Sequence, residues 1–120
     1  ININNYWKVI VYYDIDYNFF DYIEYDLLHY GTPVERIKKI YHNMRTNAKA
    51  FTYSNAKYRT SIVGFNIHTN KYDYINSIVH EAEHVKQAML AYYNIEDEGE
   101  NAAYTIAYIA TKMLQLIIFD

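Results

Sequence analysis

The chain has no cysteine, one proline and three glycines. Without cysteine there is no disulfide framework and no thiolate metal site, so any metal must be held by His, Asp or Glu. No run of eighteen apolar residues occurs, which excludes a membrane-spanning segment on sequence grounds. An excess of positive charge is also missing. The net charge is -3, which argues against a nucleic-acid partner recruited by bulk charge. No signal peptide is visible. The cytoplasm is the favoured compartment, although a chain opening on Ile1 leaves localisation open. No internal repeat, low-complexity tract or linker divides the sequence.

What is present points to one folded domain over residues 1–120. Hydrophobic residues make up 52% and charged residues 21% of 120 positions, enough for a core but not for two. The sixteen tyrosines are spread along the whole chain. With abundant Ile, Asn and Lys they fit AT-rich codon usage better than a binding stripe.

The pattern alternates between the two regular periods. YWKVIVYYDI (6–15) is β-branched and aromatic, with Trp7, Val9, Val11 and Tyr13 on one side, and reads as a strand. Asp16 is placed to cap a helix carrying Phe19, Phe20, Ile23, Leu27 and Tyr30, which Gly31 ends. Thr32, Pro33 and Glu35 read as N-cap, first helical position and capping-box partner of a second helix. Its apolar stripe is Val34, Ile37, Ile40, Tyr41 and Met44. Period-two patterning over 50–67 predicts a β-hairpin turning at Ser54-Asn55-Ala56-Lys57, with the second strand at about 58–67. Gly64 within it implies a bulge or a close approach. A long helix then places Ile75, Ile78, Ala82, Val85, Met89 and Tyr92 on one face. After the acidic IEDEGE loop, NAAYTIAYIATKMLQLIIF is apolar almost all round and predicts a buried C-terminal helix.

The long helix contains His80-Glu81-Ala82-Glu83-His84. Residues four apart share one helix face, so His80 and His84 can offer two imidazole nitrogens to one divalent ion. Glu81 lies about 100° round the axis, too far for an easy ligand but able to lean over the ion and accept a proton from water. A shuffled chain of this composition yields H-E-x-x-H about once in a hundred, so the motif needs support from elsewhere. A polar stripe opposite the core is also what a solvated helix shows. Against that, Ser77, Ala88 and Ala91 share the histidine side, and small residues there imply a close neighbour. Glu100, Ala103, Ala107, Ala110 and Leu114 form a small-residue seam in the last helix. Docking this seam against the first predicts Glu100 as third ligand, at the end of a nearly taut loop. Glu96, Asp97, Glu98 and His68 are rival third ligands.

This arrangement resembles the gluzincin metallopeptidases, closest to their minimal single-domain and ImmA/IrrE-like forms. The matching residues are His80, Glu81 and His84, then Glu100 and Ala103, over about residues 75–114. Gln87 and Leu90 stand where metzincins need Gly and His, which excludes that family. The resemblance implies an α+β zincin-like fold: an antiparallel or mixed sheet, an active-site helix and a C-terminal helix behind it. It implies Zn2+ on His80, His84 and Glu100, with Glu81 as general base for hydrolysis of a peptide or protein substrate. It also implies that the strand near Thr60–Ile67 is the sheet edge that pairs with the substrate. Tyr104 replaces the family's Asp behind the ligand, and is either its stand-in or core. His68 is the candidate for oxyanion contact. The alternative is a catalytically inactive zincin-like binding or assembly protein, of the reduced kind carried by AT-rich phages and mobile elements. The acidic loop reads as a solvated turn before it reads as a site for basic peptides.

Overall fold

A computed structural model describes residues 2–3 and 7–117. Tyr6, assigned by pattern to the first strand, and residues 118–119, assigned to the last helix, lie outside the described residues. The element order is β1 (Asn2–Ile3), β2 (Trp7–Tyr12), α1 (Phe20–His29), α2 (Val34–Thr46), β3 (Ala50–Asn55), β4 (Thr60–Phe65), α3 (Lys71–Tyr92) and α4 (Gly99–Gln115). The strands form one mixed sheet in the order β1-β2-β4-β3. β2 and β4 are parallel, while β1 pairs antiparallel with β2 and β3 antiparallel with β4. The fold is α+β, as expected. Among the described residues no helix is long and apolar enough to cross a membrane.

Strand parity distributes the side chains to two helical layers. Trp7, Val9, Val63 and Phe65 pack with Ile78, Ala82, Val85 and Met89 of α3 and Ile109 and Met113 of α4. Val11 and Tyr13 join them at the margin, so the side expected for Trp7, Val9, Val11 and Tyr13 is the side observed. Ile62 and Phe51 turn the other way, onto Ile23 and Leu27 of α1 and Ile37, Ile40 and Met44 of α2. A polar chain crosses the α3 face of the sheet. Trp7 Nε1 donates to Ser61 Oγ at 3.0 Å, and Ser61 Oγ lies 2.7 Å from Ser54 Oγ. Three strands are thereby tied in register beneath the helix.

Four local expectations are corrected. The strand near Thr60–Ile67 is not the sheet edge: β4 ends at Phe65, lies between β2 and β3, and is buried along its whole length. β3 is the edge. Thr32 does not cap α2. Pro33 holds the N-cap position with no side-chain bond, and the buried Thr32 hydroxyl finds no partner among the described residues. Asp16 caps a single 3₁₀ turn leading into α1, accepting from Asn18 N at 3.0 Å. Finally, α4 is amphipathic rather than buried all round. Ala102, Ile109, Ala110 and Met113 face the core, while Tyr104, Tyr108 and Leu116 face solvent.

Gly64 reports how closely the α1 side of the sheet is filled. It sits in unbroken register, opposite Phe51 and Tyr12, so it marks a close approach and not a bulge. A Cβ there would lie 2.3 Å from Phe51 Cε1 and 2.9 Å from Ile15 Cδ1. Gly64→Ala must displace a ring and is expected to cost about 1–3 kcal/mol. Urea unfolding should show a lower midpoint at unchanged slope; an unchanged midpoint would mean that the ring moves freely.

Candidate functional site

α3 starts at Asn70, whose Oδ1 accepts from Tyr72 N at 2.7 Å, with Asp73 favourably placed in the first turn. Its apolar stripe pins the helix against the sheet and thereby fixes which flank faces outward. On that outward flank His80 Nε2 and His84 Nε2 are 3.2 Å apart, with ring planes at 80°. Two ligands at about 2.0–2.1 Å from a tetrahedral ion stand about 3.4 Å apart, so the pair is already spaced for one cation. The same separation lets a neutral imidazole donate to its neighbour.

Glu81 is set differently. It is only 6% exposed, at the border between the core and the histidine flank. The Thr52 hydroxyl donates to Glu81 Oε1 at 3.0 Å, and Glu81 Oε2 lies 3.9 Å from His80 Nε2. Strand β3 thus holds one carboxylate oxygen while the other faces the imidazole. These groups line a cleft of about 660 Å³. Its floor is β3, through Phe51, Thr52 and Ser54. One wall is α3, through His80, Glu81, His84 and Ala88, and the other is α2, through Arg36, Lys39 and Asn43. Of the small residues on the histidine side, Ala88 lines this cleft, Ser77 is bonded to His68 and Ala91 is exposed.

Glu100 does not reach the pair. Among the described residues no three His, Asp or Glu side chains gather as a metal-binding group. Two physical causes separate Glu100 from the histidines. First, α3 continues to Tyr92, about 12 Å past His84. The chain then turns through Asn94 at φ 57°, with Ile95 N bonded back to Leu90 O at 2.9 Å. It is next captured by Lys86, whose Nζ lies 2.7 Å from Asp97 and 2.8 Å from Glu83. Lys86 projects about 140° from the midline of the two histidines, so the loop descends the wrong flank. Second, α4 buries Ala102, Ile109, Ala110 and Met113. That stripe is turned about one residue from the expected seam, which leaves Glu100, Ala103 and Ala107 exposed.

The remaining expected residues are also elsewhere. Tyr104 is 69% exposed on the outer face of α4 and is neither core nor a support for a ligand. His68 has both nitrogens engaged, Nδ1 with Asn66 O at 2.7 Å and Nε2 with Ser77 Oγ at 2.9 Å. Its ring stacks on Tyr74, so it offers no free nitrogen as an oxyanion donor. Glu96 and Glu98 are exposed in the loop. Among the residues expected, the site therefore retains His80, His84 and Glu81. It gains Thr52, Arg36 and Lys39, which the sequence reading missed. The signal for Thr52 was available: AFTYSN mixes polar and apolar residues as an edge strand does, while TSIVGF reads as a central one.

No family model matches the chain, and neither the curated proteins nor the solved structures return a match.

Hydrogen bonds that Lys86 donates to Asp97 and then to Glu83 hold its ammonium above the usual lysine range, against the opposing effect of burial. Because the folded value is raised, this contribution is complete below the unfolded lysine value of 10.5. It is lost as pH rises through the higher folded value. Lys86→Met is expected to lower stability by about 1–2 kcal/mol near neutral pH, since Glu83 and Asp97 can still be hydrated. The deficit should shrink at strongly alkaline pH. A deficit independent of pH in urea titrations would mean that the stem, not the charge, holds the loop.

Proposed function

We propose that the protein is a metal-dependent hydrolase of peptide bonds, with a divalent cation on His80 and His84 and Glu81 as general base. The observation that carries this is the 3.2 Å spacing of the two Nε2 atoms, beside a buried carboxylate tethered to Thr52, in a cleft along the sheet edge. The donor set fits zinc in its two imidazoles and lacks a further protein ligand among the described residues. Bound there, the metal would supply a Lewis acid that acidifies water and polarises a carbonyl.

The rest falls to the chain itself. Thr52 orients Glu81, and Glu81 Oε2 accepts the proton of the attacking water and returns it to the leaving amine. The open side of β3 offers backbone groups to an extended peptide, laying it across the mouth of the cleft. This reading keeps the gluzincin-like use of His80, Glu81 and His84, and drops Glu100 and the β4 edge. A second reading, a zincin-like binding or assembly protein with no turnover, draws support from that lack of a third protein ligand. Two imidazoles alone leave coordination positions that a partner's side chain could fill.

Zinc titration and a peptide-library cleavage screen separate these readings. Wild type is expected to bind one equivalent of zinc, and His80→Ala to lose at least tenfold in zinc affinity. Glu81→Gln should keep the zinc and lose hydrolysis by at least a hundredfold. Undiminished cleavage by Glu81→Gln would remove the assigned base. Zinc binding with no cleavage across the library would favour the binding protein.

A further inference from the structure

The cleft has a second wall that the proposed chemistry does not use. α2 presents Arg36, Lys39 and Asn43 to it, at successive spacings of three and four that keep them on one face. Arg36 and Lys39 are both exposed. Among the described residues neither has a carboxylate partner, whereas the neighbouring Lys38 pairs with Glu35 at 3.6 Å and Lys86 pairs with Glu83 and Asp97. Glu81 is the acidic group lining the cleft, and one of its oxygens is taken by Thr52. The lining therefore carries two unpaired cations on a chain whose net charge is -3. Such a local inversion of sign attracts anionic groups and repels cationic ones.

Strand geometry sets the form of the ligand. α2 and α3 pack on opposite faces of the sheet, and β3 contributes to both: Phe51 lies in the core with α2, and Ala50 in the core with α3. A peptide added to the β3 edge would send alternate side chains toward the two helices. Same-face side chains along a strand are about 6.8 Å apart, and residues three apart on a helix are about 5–6 Å apart. Acidic residues two positions apart would thus meet Arg36 and Lys39 together, while the intervening residue faces His80, Glu81 and His84.

We infer that the cleft selects extended peptides bearing two acidic side chains in an acid-x-acid pattern, with Arg36 and Lys39 as the residues that recognise them. This rests on the proposed use of the same cleft for substrate. It also removes the acidic loop as a reason to expect basic peptides, because Asp97 is held by Lys86 on the far flank of α3.

The test uses the full chain with Glu81→Gln, to prevent turnover, and fluorescein-labelled ten-residue peptides of Ser, Thr and Ala. One carries Glu-x-Glu, a second adjacent Glu-Glu, a third Lys-x-Lys. Anisotropy is read with and without one equivalent of zinc at low salt. Glu-x-Glu is expected to bind at least tenfold tighter than Lys-x-Lys and several-fold tighter than Glu-Glu. The double substitution Arg36→Glu, Lys39→Glu, made at exposed positions that leave the core intact, should reverse the order of the first and third peptides. Equal affinities, no binding of any peptide, or an acidic preference surviving the double substitution would overturn the inference. So would displacement of Glu-x-Glu by an equimolar single-stranded oligonucleotide. The two readings fail separately. Cleavage that needs zinc and Glu81 but ignores peptide charge sinks only the acidic selection. An acidic preference in a chain that binds no zinc sinks only the hydrolase.

Discussion

A strand shows its side chains alternately to its two faces, and β3 lies at an open sheet edge between two helical layers. These two conditions create the cleft. Had β3 been central, a further strand would occupy the place where α2 and α3 now look at each other across its edge. Because it is the edge, Thr52 can turn to α3 and hold Glu81 while Phe51, next in sequence, turns to the core beneath α2. The Trp7–Ser61–Ser54 chain fixes the sliding position of β3. A one-residue slip would send Thr52 to the wrong face and release the carboxylate.

Most of the architecture was legible in the sequence wherever one local signal governed the outcome. Trp7 and Val9 alternate, Gly31 sits at φ 85° behind α1, and Asn55 bonds Lys57 N at 3.0 Å in the hairpin turn. The histidine pair also needed only the helical period. What failed depended on how elements meet. The choice of β4 over β3 as the edge ignored the apolar run IVGF at residues 62–65. The placement of Glu100 relied on the seam of Ala103, Ala107 and Leu114 outcompeting the neighbouring stripe of Ala102, Ile109 and Met113. The larger stripe won because it removes more apolar area from water. The Lys86–Asp97 pair, which directs the loop, joins residues eleven apart across a turn and carries no periodic signal.

Tyrosine abundance has a structural use whatever its origin. Tyr13 OH donates to Met113 O at 2.8 Å, anchoring the end of α4 to the sheet, and burial pushes its phenol up to about 12. Tyr17 OH bonds both Met44 O and Asn66, closing the seam where α2 meets the loop after β4. Tyr12 OH reaches Asp26 of α1, and desolvation, aided by that carboxylate, raises its phenol. Each of these rings packs against a layer while its hydroxyl satisfies a polar group at the layer's rim. Asn66 Nδ2 donates to Met44 O and Ala48 O at 2.7 and 2.9 Å. The α2 wall is thus held to the strands on which it depends.

The position of Glu81 is what separates this helix from an ordinary solvated one, and the same helix contains the comparison. Glu83 and Gln87 are four apart, and Gln87 Nε2 donates to Glu83 Oε1 at 3.2 Å. This is how polar residues on a wet face usually settle. His80 and His84 have the same spacing, but Glu81 beside them is withdrawn from water and tied to a neighbouring strand. Burying a carboxylate is costly unless its oxygens find donors. Thr52 satisfies one oxygen, and Oε2 is left near an imidazole that can donate or coordinate. A helix face selected only for solubility would leave that glutamate in water. Holding it at the cleft wall, with one oxygen oriented by Thr52 and the other beside His80, suits a site that acts on something bound in the cleft.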